Sequence, residues 1–230
     1  MRTTWISASA AAWTFGGLAA VLGFALSPVP TDVPLGTAAL VASQHDSRWV
    51  VSIFLLFASA IGMCFGVRAI GFLLRDASGF IAWNTAIAYI VGSVGMGGQA
   101  MMLAFVRALV NADRSNTYVL DVISADLVLN VLLLTWSAGL FAGLLLLAVG
   151  LWRADATPRW IPAAFLAFVV SQFLNLPGGM VVDTLQFALL AVCIAGASFC
   201  VHQQTRQLDA VEAAQLSTSV RVAPDPIARH

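Results

Sequence analysis

Lysine is missing from this 230-residue chain, and all eleven of its cations are arginine. A retinal-type Schiff base is therefore excluded. The bias is compositional, because arginine and lysine serve alike as cations flanking a membrane span. Charge of either sign is scarce: Asp, Glu, Lys and Arg make up 10% of the residues, against about 25% in an ordinary soluble domain. The formal net charge is zero and no basic stripe marks a nucleic-acid surface. The three cysteines, Cys64, Cys193 and Cys200, lie in apolar runs without CxxC spacing. They read as small buried side chains, not as a disulfide framework. His45 stands beside Asp46 in a loop, His202 at a helix end and His230 at the last position, which is neither a zinc motif nor a pair of axial haem ligands. GxSxG, P-loop and Rossmann fingerprints are absent too. The expectation is no cofactor and no metal.

What the chain has in abundance is hydrocarbon, with 60% hydrophobic residues. Lipid cannot satisfy a bare backbone, so a crossing segment needs about 20 mostly apolar residues in a helix. Six runs meet this need, Trp5 to Ala25, Trp49 to Leu74, Phe80 to Phe105, Leu127 to Leu151, Trp160 to Leu176, and Met180 to Val201. The fold class expected is all-α, a polytopic transmembrane helical bundle of about six spans over residues 1–203, with a polar tail over 204–230. The fifth run is short, and "NLPGG" turns it into the sixth through Pro177, Gly178 and Gly179. A spanning hairpin is preferred there to a re-entrant pair, whose irregular backbone needs cover at membrane depth. A second reading takes the first run as a cleaved signal segment ending near Ala25 and Ser27; its long apolar core favours a retained helix. Pro28, Pro30 and Pro34 break the following loop and leave Leu35 to Ser43 as a short surface-lying helix. In the tail, "RQLDAVEAAQL" is compatible with another short helix.

Arginine placement sets the orientation, since cytoplasmic flanks collect positive charge. Arg2, Arg68, Arg75, Arg153, Arg159 and Arg206 fall near helix ends on the N-terminal side, and Arg48, Arg107 and Arg114 on the other. Both termini are expected in the cytoplasm. Trp5, Trp83, Trp152 and Trp160 then anchor the inner boundary and Trp49 the outer one, while Trp13 and Trp136 pack deeper. Small residues spaced by four mark contact faces: Ala12, Gly16 and Ala20; Ala58, Gly62 and Gly66; Gly139 and Gly143. The third run carries the glycine-dense "GSVGMGGQ", either a packing face or a place to kink or admit a ligand.

The polar residues of the runs gather at one depth. In "LDVISADLVLNVLLL", Asp126 and Asn130 are four apart and share a face at the outer start of the fourth run. The same topology puts Gln99, Gln172, Asn175, Asp183 and Gln186 near the outer ends of theirs. Two readings compete for Asp126 and Asp183. Acids near a helix N-terminus are favoured by the macrodipole, which needs no function. Alternatively they line an outward-facing acidic vestibule that binds a proton, a cation or a small solute, since charges inside a membrane face an interior or a wet cavity. Arg107 is also placed to neutralise one of them by pairing.

The stretch "HDSRWVVSIFLLFASAIGMCFGVRAIGFLLRD", preceded by the proline-containing loop and by "FGGLAAVLGFAL", resembles a broad group of uncharacterised bacterial multi-helix integral membrane proteins. Arg48 and Trp49 at the start of the second run, with Arg68 and Arg75 at its exit, carry the resemblance, which covers roughly the first half. It implies a bacterial inner-membrane setting and no particular activity. Three functions are then expected to compete. The first is binding or transport of a small solute, cation or proton by Asp126, Asn130, Asp183, Gln186 and Gln99. The second is an intramembrane enzyme acting on a lipid or isoprenoid with a carboxyl general acid. The third is an accessory subunit that meets a membrane protein partner through its GxxxG faces.

Overall fold

The computed structural model describes residues 2–30, 33–113, 117–174 and 179–222. Among them every regular element is a helix: α1 (Arg2–Leu26), α2 (Leu35–Ser43), α3 (Asp46–Leu73), α4 (Gly79–Ala112), α5 (Thr117–Ser124), α6 (Leu127–Ala154), α7 (Trp160–Phe173) and α8 (Gly179–Val222). Five of them, α1, α3, α4, α6 and α8, are long and apolar enough to cross a membrane. Their outward faces carry large bare hydrophobic side chains, among them Phe54, Phe65, Met101, Leu134 and Val181. Water would not tolerate so much contiguous apolar surface, and lipid requires it. The chain is a multi-pass membrane protein.

The fifth expected run forms a helix of only 14 residues, about 21 Å long against a hydrocarbon core of about 30 Å. The sixth runs far past Val201 and, at 44 residues, is about 66 Å long without a break. The α2 helix occupies the stretch expected for it, whereas α5 is an additional short helix.

The six principal helices pack in chain order. α1 lies on α3, α3 on α4, α4 on α6, α6 on α7 and α7 on α8, and α8 closes the ring on α1. The hydroxyls of Ser7 and Thr205 meet at 3.2 Å, and Phe24 stacks on Phe187 with centroids 3.9 Å apart, so α1 and α8 are antiparallel. The start of α1 and the far part of α8 thus share one end of the bundle, the termini end. Four exposed tryptophans, Trp5, Trp83, Trp152 and Trp160, ring that end, where amphipathic indoles suit a membrane boundary. The opposite end is covered by α2 and α5, which pack on each other, and we call it the cap end.

Small residues set two close seams. A methyl on Gly62 would fall 2.7 Å from the Ala12 carbonyl oxygen and 2.8 Å from Gly16 Cα, so α1 and α3 touch backbone to backbone. On the α4–α6 seam, Gly143 lies against the Tyr89 backbone and Gly139 against Val91. Both GxxxG faces are therefore used within the chain. The glycine-dense part of α4 packs without interrupting the helix. Deep in the bundle the Trp13 indole donates to the Tyr89 hydroxyl at 2.6 Å. Both residues are fully buried, and an unpartnered polar group there would cost about 1–3 kcal/mol.

Buried side chains form two separate clusters. The larger fills the termini half around Trp13, Met63, Tyr89, Leu144, Phe165 and Ile194. The smaller lies under the cap, where Ala39, Ala42, Trp49, Val106, Val110 and Leu120 meet. Trp49 is thus no boundary anchor, because α2 and α5 fold over the start of α3 and bury it completely.

Candidate functional site

The polar residues expected to share a vestibule divide into three groups at the cap end. Asp126 precedes α6 as its N-cap, exposed, with its Oδ1 accepting from the Leu129 N–H at 2.9 Å. Asn130 is exposed one turn on, and its amide donates to the Ser124 carbonyl at 3.1 Å. Both side chains serve the start of their own helix, one satisfying an orphan N–H and the other fixing the α5–α6 turn. The helix-start reading describes Asp126.

A second group clasps α7 to α8. The Gln172 amide donates to Gln186 Oε1, and the Gln186 amide donates to the Ser171 carbonyl, each at 2.9 Å. These bonds bring the end of the short α7 back to the cap end, beside the first turns of α8. Asn175 lies outside the described residues.

The third group holds a cavity. Gln99 follows Gly92 and Met96 along the inward face of α4, and Asp183 precedes Phe187, Leu190 and Ile194 along that of α8. Both line one small space of about 90 Å³, together with Ser27 just past α1 and the apolar walls Phe24, Val29, Leu56 and Leu103. At that volume it has room for about three waters. Ser27 Oγ accepts from the Val29 N–H at 3.3 Å and has a second lone pair for another donor. No arginine or histidine is among the described residues that line this space.

Gln99 also lines a second, larger space. Around and beyond the contact of Gly95 with Trp136, α4 and α6 enclose a cleft of about 420 Å³. Its walls are apolar, with Gly98 and Met102 facing Leu129, Leu132 and Leu133. Val94 and Leu132 on its rim are 62% and 61% exposed, so the cleft opens sideways from the bundle.

Three other charges at the cap end, Arg107, Asp46 and Asp121, are committed to structure. Arg107 pairs with Asp46 in a two-pronged contact, its Nε 2.6 Å from Oδ1, and Asn111 donates to the same oxygen at 3.1 Å. Arg107 therefore serves neither Asp126 nor Asp183 in this way. Asp121 Oδ1 accepts from the Gly36 N–H at 2.8 Å, acting as a cap for α2, whose own preceding residue, Pro34, offers no side-chain acceptor.

Depth along the helices put Asp183 and Gln99 in one group with Asp126, Asn130, Gln172, Asn175 and Gln186, without singling out the pair. The parts of Ser27, the aromatic wall Phe24 and the cleft at Gly98 were not legible, because they depend on helix rotation and spacing. Comparison with known proteins finds no family model, no curated protein and no solved structure that this chain matches.

Proposed function

We propose that this protein binds a monovalent cationic group, and passes or senses it, in the cavity formed by Asp183, Gln99 and Ser27. The observation that carries this reading is the convergence of a carboxylate, an amide and a hydroxyl on one space of about 90 Å³ in an apolar bundle. A carboxylate lining such a space attracts a cation, and acids among membrane helices tend to line ion or substrate sites. The occupant is monovalent. Asp183 is the one acid among the described lining residues, whereas calcium and zinc sites gather several carboxylate, imidazole or thiolate ligands.

The setting that fits is a bacterial inner membrane crossed six times, with α7 and its turn to α8 completing the short crossing and both termini in the cytoplasm. The exposed arginines Arg68, Arg75, Arg153, Arg159 and Arg206 at the termini end support that orientation. The cap end, and the cavity with it, then faces outward.

The reading is tested by thermal unfolding of the purified protein in mild detergent with added methylammonium chloride, choline chloride being the bulky reference. Methylammonium should raise the unfolding temperature of the wild type and of Asp126→Asn, and should leave Asp183→Asn unmoved. Equal responses in Asp126→Asn and Asp183→Asn would remove Asp183 from the site. Uptake by proteoliposomes then separates transport from binding alone.

A further inference from the structure

We infer that the occupant is amphipathic: an alkyl chain with a primary ammonium head, bound with the head in the small cavity and the tail in the α4–α6 cleft. The inference rests on the reading of Asp183 as the partner of a cation, and adds to it the chemical class of the ligand.

Three observations converge on it. Gln99 is the side chain common to the small cavity and the large apolar cleft, so the two spaces adjoin at it. The cavity holds only a head-sized group, and its oxygen-bearing side chains, Asp183, Gln99 and Ser27, match the three N–H donors of an ammonium. Phe24, stacked on Phe187, adds an aromatic wall to the same space. The cleft offers the reverse chemistry. Met102, Leu129, Leu132 and Leu133 would desolvate a hydrated ion without replacing its water, but they suit a hydrocarbon chain. Its exposed rim opens where lipid tails run, so a chain bound there stays in an apolar medium.

Gly98 supplies the test. It lines the cleft, and a Cβ built on it has nothing within 4 Å, so a larger side chain can occupy the cleft without colliding with the backbone. The experiment measures binding of methylammonium and octylammonium to the full chain in phosphatidylcholine nanodiscs by calorimetry. Each probe is compared across variants, so partition of octylammonium into the bilayer cancels. Gly98→Leu should weaken octylammonium binding at least tenfold and leave methylammonium within twofold. Asp183→Asn should weaken both at least tenfold. Unchanged octylammonium binding in Gly98→Leu would overturn the tail site and leave the head site standing. Absence of methylammonium binding in the wild type, or its survival in Asp183→Asn, would overturn the head site and the inference with it. Should Gly98→Leu lose both probes, Gly98→Ala decides: weakened octylammonium binding alone supports the tail site, and loss of both or of neither contradicts it.

Discussion

Replacing Gly62 by alanine tests the seam that brings α1 and α3 together and so places Ser27 beside Leu56. The new methyl would fall 2.7 Å from the Ala12 carbonyl oxygen and 2.8 Å from Gly16 Cα. Carbon atoms pack at about 3.5–4.0 Å, so the two helices must part by roughly 1 Å and lose contact along several turns. Overpacking of this kind costs about 1–3 kcal/mol. Gly71 provides the control on the same helix, because a methyl there meets nothing within 4 Å. Alanine gains about 1 kcal/mol of helix propensity over glycine at either position, and comparing the two variants cancels that gain. A difference of about 2 kcal/mol corresponds to roughly 4–8 °C in a chain of this size. Thermal unfolding in mild detergent, followed as loss of the monodisperse size-exclusion peak, should place Gly62→Ala below wild type and Gly71→Ala at or above it. Identical unfolding temperatures for the two variants would refute the backbone-to-backbone seam.

Other consequences are open to measurement. Trp13→Phe should destabilise by about 1–3 kcal/mol by orphaning the buried Tyr89 hydroxyl. Adding Tyr89→Phe should recover part of that loss, a non-additivity seen in a double-mutant cycle of unfolding temperatures. Asp121→Ala should cost about 1 kcal/mol by uncapping α2 and speed hydrogen exchange at the Gly36 amide, while Asp121→Asn retains most of the protection. Asp155 ends α6 at φ 49°, in the left-handed region, so Asp155→Gly should stabilise the protein by about 0.5–1 kcal/mol in the same thermal assay.

The bundle was legible in the sequence because a run of apolar residues is almost sufficient to specify a helix in lipid. Its ends were less so. The α4 helix continues to Ala112 because Val106 and Val110 bury themselves against Trp49 under the cap, a tertiary contact that hydropathy does not encode. The α7 helix ends at Phe173, before the Pro177–Gly179 turn that set its expected limit. Trp49 misled for a related reason: an indole near a span end suits the boundary, unless short helices fold over it. Within the site, helical periodicity pairs Asp126 with Asn130 on one helix but says nothing about which way that face turns. Rotation and spacing come from the glycine contacts between helices. They bring Gln99 and Asp183 to the lining of one space and leave Asp126 capping its own helix.

In the proposed function the cavity at Asp183 opens outward and holds a cation. Its most direct test places a cysteine at Leu103, on the cavity wall, in a chain whose Cys64, Cys193 and Cys200 are replaced by alanine, and measures modification by a membrane-impermeant thiol reagent on intact cells. Labelling from outside should slow as methylammonium is added and no longer slow when Asp183→Asn is also present. Labelling confined to the cytoplasmic side, or a rate indifferent to methylammonium, would contradict it.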